Sequence, residues 1–191
     1  MKTLQKTTKT AFLIHGSKGN PHNNWFPWLR VKLILKGYKV IVPRFPTPEG
    51  QLLDVWIKTF EKYIPRLNEE TIIIGHSLGT PFTLNVLEKL EKPIKAAIFV
   101  GGFYGLLNNP KFDPIIHTFS DRKFNWEKIG NNCRKFIVIN SDDDPYVPLT
   151  KGQELASALK TEVTLVPGGK HFNTEAGWFK FPQLVEIIKK F

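Results

Sequence analysis

The sequence has little that would mark an exported or membrane protein. It contains one cysteine, Cys133, so no disulfide can form within the chain, and this suits a reducing compartment. No apolar run approaches the roughly 18 residues that a membrane-spanning helix needs. Residues 1–9 are polar and charged and lack the apolar segment of an export signal. These features predict a cytoplasmic protein with a polar N-terminal lead-in and no membrane span.

The chain is basic, but its charge is scattered. Lys and Arg number 27 and Asp and Glu number 17, which gives a net charge of +10. The basic residues occur singly or in pairs, and neither a zinc-finger spacing nor an aromatic-rich RNA-binding motif is present. The pattern favours a solvated basic surface and predicts no specific nucleic-acid partner. It says nothing of the oligomeric state.

The length and the hydrophobic pattern predict one α/β domain over residues 1–191. No repeat, low-complexity tract or linker divides the chain, which is long enough for a sizeable core. Apolar runs that do not alternate with polar residues are typical of strands covered on both faces. We therefore predict a doubly wound, mostly parallel, six-stranded sheet flanked by helices. The predicted strands are 11–14, 38–42, 71–74, 94–100, 135–140 and 162–166.

Segments with helical periodicity separate these strands. Gly37 is a plausible C-cap for the first of them, and residues 150–153 have the form of a capping box. Residues 103–132 are less regular and must hold a crossover helix, so we predict a small or absent lid and an open pocket. The helical segments are 25–36, 53–64, 80–90, a short one near 126–129, one after 150–153, and 184–191.

The stretch 75–79, Gly-His-Ser-Leu-Gly, joins a predicted buried strand to a predicted helix. In that context G-x-S-x-G is typical of a nucleophile elbow, a sharp turn that exposes the serine hydroxyl. Side chains at positions 75 and 79 would collide there, which explains the two glycines. We interpret Ser77 as a nucleophile. The alternative is that Ser77 only caps the helix while the glycines make a tight turn.

A serine hydroxyl needs a base to take its proton, and the base needs an acid to orient it. His171 is the one histidine that follows the acidic run Asp142-Asp143-Asp144, so the chain order Ser…Asp…His selects it. Asp144 is our choice of acid because Pro145 holds it extended, while Asp142 or Asp143 could hydrogen-bond the turn. His171 could instead be a surface loop histidine. The acidic run lacks the EF-hand pattern, so we predict no metal and no cofactor.

Acyl attack creates an oxyanion, which requires hydrogen-bond donors. One donor is expected to be the N–H of Leu78, and the other to come from the loop after the first strand, with Ser17 as first choice and Lys18 as second. Six residues are candidates for binding substrate, although the aromatic ones could equally belong to the core and His15-Gly16 could be a simple turn: His15, Gly16, Trp25, Phe103, Tyr146 and Phe172.

Taken together, these motifs resemble the compact α/β-hydrolases related to retinoblastoma-binding protein 9 and the bacterial YdeN-like proteins. The resemblance spans nearly the whole chain, and its more specific parts are the Trp-rich stretch and the D-P-x-V-P stretch. It implies a triad of Ser77, Asp144 and His171. The matching segments are His15-Gly16, 25–29, 75–79, 126–129, 141–148 and 169–173.

The resemblance implies hydrolysis of small esters. We therefore expect a serine hydrolase of carboxylesterase type that acts on a small-molecule ester through an acyl-enzyme. A thioesterase, amidase or acyltransferase is not separated from it by the sequence. The alternative from another class is a non-catalytic protein-binding module on the same fold. The L-x-C-x-E motif of retinoblastoma binding does not occur in the chain, so that binding role is not carried over.

Overall fold

The computed structural model describes residues 7–191, so most of the predicted lead-in at 1–9 lies outside the described residues. Within this range one sheet of six strands has the order β2-β1-β3-β4-β5-β6. Every neighbouring pair is parallel, which confirms the predicted doubly wound sheet. The strands are β1 (Thr10–Ile14), β2 (Lys39–Ile41), β3 (Thr71–His76), β4 (Ala96–Val100), β5 (Phe136–Asn140) and β6 (Val163–Leu165).

Helices follow the strands and cover both faces of the sheet. Six of them lie where helical periodicity predicts them, and α4 comes from the segment that the sequence leaves irregular. No helix among residues 7–191 has the length and apolar character to cross a bilayer. The helices are α1 (Phe26–Ile34), α2 (Leu53–Glu61), α3 (Gly79–Leu87), α4 (Asp113–Ser120), α5 (Trp126–Asn131), α6 (Leu149–Ala158) and α7 (Pro182–Ile188).

Alternate residues of each central strand pack into two separate core layers. In β1, Phe12 lies in the layer with Trp56 and Phe82 of α2 and α3, whereas Leu13 lies in the layer with Trp25 and Phe181, which flank α1 and α7. All five residues of β1 are buried. A strand covered on both faces needs apolar residues at every position, which is why these strands read as continuous apolar runs.

The helix ends agree with the sequence at one position and differ at another. Gly37 ends the first helix as predicted, with φ +81°. The bonds from the Gly37 and Tyr38 N–H groups to the Ile34 and Leu33 carbonyls form a Schellman motif. The predicted capping box at 150–153 is wrong. Helix α6 already begins at Leu149, after Pro148, and has no side-chain cap.

The strand register brings the carboxyl ends of the central strands to one edge of the sheet. Ile14 pairs with Gly75, and His76 with Val100, so β1, β3 and β4 end within two residues of each other. Ligands of open parallel sheets bind beyond this edge. The loops that follow β1, β3, β5 and β6 therefore meet there.

Candidate active site

The turn after β3 is strained at Ser77. Its φ is +53°, in the left-handed region that residues with a side chain rarely adopt. The Ser77 N–H donates to the Val100 carbonyl at 2.9 Å, which ties the turn to β4. A Cβ on Gly75 would lie 2.6 Å from the Gly79 carbonyl oxygen, and one on Gly79 would collide with the Ile14 carbonyl oxygen. The two glycines are therefore required by close backbone approach, as the motif predicts.

The loop after β1, residues 15–19, lies directly against this turn, and we call it the oxyanion loop after the role that the sequence predicts for it. A Cβ on Gly16 would lie 2.9 Å from Ser77 Cβ. The Lys18 N–H donates to Thr47 Oγ1 at 2.7 Å and is therefore occupied. Among residues 7–191, the N–H groups of Ser17 and Leu78 have no hydrogen-bond acceptor. Of the two predicted second donors, Ser17 therefore keeps an N–H without an acceptor among the described residues, whereas the N–H of Lys18 is bonded.

Asp144 and His171 are in contact. His171 Nδ1 lies 2.7 Å from Asp144 Oδ2, and the Asp144 side chain is fully buried. The other carboxylate oxygen, Oδ1, accepts the N–H groups of Tyr146 at 2.8 Å and Val147 at 3.0 Å. These three bonds fix both oxygens, so the carboxylate can hold the imidazole in one orientation.

The other two acids of the run, Asp142 and Asp143, bond to the loop that carries His171, residues 168–172. Asp142 accepts the Gly168 N–H at 2.9 Å. Asp143 accepts the Lys170 N–H at 2.8 Å and forms an ion pair with Lys170 Nζ at 2.9 Å. Hydrogen bonds from Ser141 and Lys170 lower the Asp143 pKa to about 2. Both carboxylates therefore bond to backbone N–H groups that lie 26 and 27 residues further along the chain, whereas the sequence suggests bonding to the local turn.

The loop 168–172 that carries His171 has an unusual backbone, with positive φ at Gly168, Lys170 and Phe172. One imidazole N–H and one indole N–H donate to two carbonyls of this loop. His76 Nε2–H donates to the His171 carbonyl at 2.8 Å, and Trp25 Nε1–H donates to that of Phe172 at 3.0 Å. The sequence gives no signal for either bond, because the partners are far apart in the chain.

His76 is a neutral, buried ring. Burial, reinforced by the neighbouring His171, lowers its pKa to about 3. Since a carbonyl oxygen only accepts, the proton must be on Nε2. His76 therefore supports the His171 backbone without competing for the proton that a general base would take.

His15 is also neutral and buried. Its Nε2 accepts the Phe45 N–H at 3.1 Å, which leaves the proton on Nδ1 to be donated to the Gly16 carbonyl at 2.9 Å. Burial is the main cause of its lowered pKa. Both ring nitrogens are used by the backbone, so His15 shapes the oxyanion loop and does not present a polar group to substrate.

Ser77 Oγ makes no hydrogen bond within residues 7–191. The structure therefore contains the Asp144–His171 pair but not a closed Ser77–His171 hydrogen bond. In free enzymes such catalytic bonds are commonly long and tighten when substrate binds. Among the described residues, no group of His, Cys, Asp or Glu side chains is placed to hold a metal ion.

A cavity of about 350 Å³ opens at this edge of the sheet. It brings together most of the predicted site residues. Those that line it are His15, Gly16, Ser17, Lys18, Ser77, Leu78, Phe103, Tyr146 and His171.

Two predicted substrate-binding residues lie elsewhere. Trp25 and Phe172 are fully buried in the core layer under α1 and α7, where the Phe172 ring stacks on that of Phe181 at 5.5 Å. The prediction that they line the pocket is wrong, because their rings fill the interior beneath the His171 loop. Sequence reasoning also missed an apolar wall of the cavity, formed by Leu107, Phe112, Ile115, Ile116 and Val147.

The cavity has two chemically different sides. Its apolar wall comes largely from α4 and the residues before it, whereas its other side is polar. Ile115 and Ile116 form a short apolar run, but nothing in the residue pattern places them in the same cavity as Ser77. The polar side consists of Asn20, Asn23, Asn24, Asn173, Thr174 and Glu175.

Comparison with known proteins finds relatives that cover nearly the whole chain. Residues 11–190 match the model of a family described as serine hydrolase. The chain is 30% identical to the protein YdeN of Bacillus subtilis over 186 residues, 96% of each chain. It is 28% identical to serine hydrolase RBBP9 of Rattus norvegicus over 183 residues, 94% of this chain and 93% of that protein.

The fold is similar to a solved structure over nearly its whole length. The crystal structure of the YdeN protein from Bacillus subtilis superposes with a TM-score of 0.90, covering 96% of this chain and 98% of that one. The resemblance stated from the sequence motifs is thereby confirmed.

Proposed function

The chain belongs to the serine hydrolase family, and from that premise we propose that it cleaves small carboxylic esters through an acyl-enzyme formed on Ser77. The nucleophile, the general base and the acid of this proposal are Ser77, His171 and Asp144. The oxyanion donors are the N–H groups of Leu78 and Ser17. No cofactor takes part in the reaction as proposed.

One observation carries the proposal: a serine at φ +53° and a histidine bonded to a buried carboxylate line the same cavity. A strained backbone at a serine is costly and persists where function requires the exposed hydroxyl. A buried Asp–His pair is the arrangement that makes a histidine a directed base. A non-catalytic binding module would need neither feature.

Acylation follows from these positions. Ser77 Oγ attacks the ester carbonyl carbon while His171 Nε2 takes the hydroxyl proton, and Asp144 stabilises the resulting imidazolium. The carbonyl oxygen becomes an oxyanion that accepts the N–H groups of Leu78 and Ser17. The C–O bond to the alcohol then breaks, and the alcohol leaves with the proton from His171.

Deacylation repeats these steps with water. His171 takes a proton from the water as its oxygen attacks the acyl carbon, and the same two N–H groups stabilise the second oxyanion. The bond to Ser77 Oγ breaks, the serine recovers its proton from His171, and the carboxylic acid is released.

The cavity supports small substrates. Its volume of about 350 Å³ lies at the lower end of the range for ligand sites. The apolar wall provided by Phe112, Ile115 and Ile116 suits a short acyl chain, whereas the asparagine-rich side suits a polar alcohol. Thioesters and activated amides would react by the same chemistry. Among these classes we propose esters as the preferred substrates.

The test is the Ser77→Ala variant with Ser157→Ala as a matched control, since Ser157 is exposed on α6. We expect Ser77→Ala to abolish hydrolysis of 4-nitrophenyl butyrate and labelling by a fluorophosphonate probe. Ser157→Ala should retain both. Labelling that persists in Ser77→Ala would refute the assignment of the nucleophile.

A further inference from the structure

Gln51 lies between the oxyanion loop and α4 and bonds to both. It precedes α2, and only 7% of its surface is exposed. Its amide oxygen accepts the hydroxyls of Ser17 at 2.7 Å and Thr47 at 2.6 Å. Its amide nitrogen donates to the Ile115 carbonyl at 2.7 Å. One buried side chain thus joins three separate segments around the cavity.

The bond to Thr47 extends this network to Lys18. Because the Thr47 hydroxyl gives its proton to Gln51, its oxygen is left to accept, and it accepts the Lys18 N–H at 2.7 Å. Lys18 has φ +56°, a conformation that costs free energy unless neighbouring contacts maintain it. Gln51 therefore holds Ser17 directly and Lys18 through Thr47.

These contacts bear on the oxyanion because Ser17 and Lys18 were the competing donors. With the Lys18 N–H bonded to Thr47, the Ser17 N–H is the member of the pair without an acceptor among residues 7–191. An oxyanion donor works only where it is held close to its working position before reaction. The bonds to Gln51 supply that restraint on the loop.

We propose that Gln51 is a positioning residue that holds the Ser17 N–H for the oxyanion of the tetrahedral intermediate. This inference rests on the proposed function. It goes beyond the proposed triad because Gln51 does not line the cavity. Gln51 bonds to Ser17, Thr47 and Ile115 and therefore acts through the oxyanion loop. The competing explanation is that Gln51 only satisfies buried polar groups and contributes to stability.

Gln51→Met separates the two explanations, because it keeps the length of the side chain and removes all three hydrogen bonds. Positioning predicts that kcat for 4-nitrophenyl butyrate falls about tenfold or more while KM changes little, since the oxyanion exists only beyond the ground state. The inhibition constant of a trifluoromethyl ketone, whose adduct on Ser77 bears the same oxyanion, should rise by a similar factor.

Thr118→Val is the matched control. The Thr118 hydroxyl accepts the Leu53 N–H at 3.2 Å, so the variant also removes a bond between α4 and α2 but leaves the oxyanion loop intact. It should lower thermal stability without changing kcat or the inhibition constant. Thr47→Val is a second test should Gln51→Met fold poorly. It removes the bond from the Lys18 N–H and one of the three bonds of Gln51, and it leaves the bonds of Gln51 to Ser17 and Ile115 in place. It should show the same pattern to a smaller degree.

The outcomes distinguish this inference from the proposed function. If Ser77→Ala abolishes turnover but folded Gln51→Met or Thr47→Val keeps wild-type kcat and inhibitor affinity, the positioning role is refuted and the hydrolase proposal stands. If Ser77→Ala retains turnover, the proposed function itself fails. A loss in kcat and in inhibitor affinity that Thr118→Val does not share supports the role of Gln51.

Discussion

Lowering the pH should destabilise the folded protein through one buried ring, that of His76. Burial holds its pKa at about 3 in the folded state. In the unfolded chain the ring is solvated and its pKa returns to about 6.5. Between these two values the unfolded chain binds a proton at His76 and the folded protein does not.

The sign and size of the effect follow from that difference. Because the unfolded state binds more protons, the free energy of unfolding rises with pH between about 3 and 6.5 and falls on acidification. The full slope is about 1.4 kcal/mol per pH unit. Integrated from pH 6.5 to 4.5, where the slope starts at half its full value, the loss is about 2 kcal/mol.

The assay compares the wild type with His76→Gln. The glutamine amide can donate to the His171 carbonyl but does not titrate, so the variant keeps the bond and lacks the proton site. Urea unfolding, followed by fluorescence of the buried Trp25 and Trp56, gives the free energy at pH 6.5 and 4.5. His15, whose pKa is also lowered by burial, contributes equally to both proteins and cancels in the comparison.

We expect the wild type to lose about 2 kcal/mol more than the variant between these two pH values. Equal losses would refute the reasoning, because they would mean that the folded protein accommodates a charged ring at position 76. A larger loss in the variant would show that the histidine makes a favourable contact when protonated, against the burial that defines its environment.

Three further predictions concern the site and the core. Asp144→Asn should lower kcat for 4-nitrophenyl butyrate by about 10²–10⁴-fold because the base loses its carboxylate, whereas Asp142→Asn, which keeps an acceptor for the loop, should stay near the wild-type value. Gly75→Ala should lower the free energy of unfolding in urea by about 1–3 kcal/mol, because its Cβ would collide with the backbone of Gly79. Gly130→Ala, whose Cβ would meet nothing within 4 Å, should raise it by up to about 1 kcal/mol by stabilising α5. Burial raises the pKa of Cys133 to about 12, so a thiol reagent should react with it only after denaturant is added.

The sheet and the elbow could be predicted because their causes are local in sequence. A strand buried on both faces is apolar at consecutive positions, and the run before Ser77 shows this directly. The glycines of the elbow follow from the steric demand of one turn. To predict a shared site from the chain order Ser…Asp…His, one further rule is enough: the carboxyl ends of parallel strands lie at one edge of the sheet. The register of β3 and β4 follows this rule.

The rest depends on contacts that the residue pattern does not reveal. The sequence does not predict helix α4 because it lies in an irregular segment rich in Asn, Pro, Phe and Gly. The residue pattern also gives no sign of the bonds from the Leu107 and Asn109 N–H groups that fix Asp113 at its start. The prediction that Trp25 and Phe172 line the pocket rests on their residue type and their position near reactive residues. The residue type alone does not tell whether an aromatic ring lies in a core or in a pocket. In the structure both rings pack against Phe181, which places them in the core.

The three consecutive acids at 142–144 have different bonding partners and therefore different roles. Successive residues 142, 143 and 144 bind successive parts of the loop 168–171, and only the last reaches the imidazole. We expect that Asp143 does not replace a missing Asp144, because its oxygens are already bonded to Ser141 and Lys170. Those bonds favour the anion and lower the Asp143 pKa to about 2. Turning Asp143 toward His171 would break these bonds and release the loop that carries the proposed base. The three acids are therefore not interchangeable, even though the sequence presents them as equals.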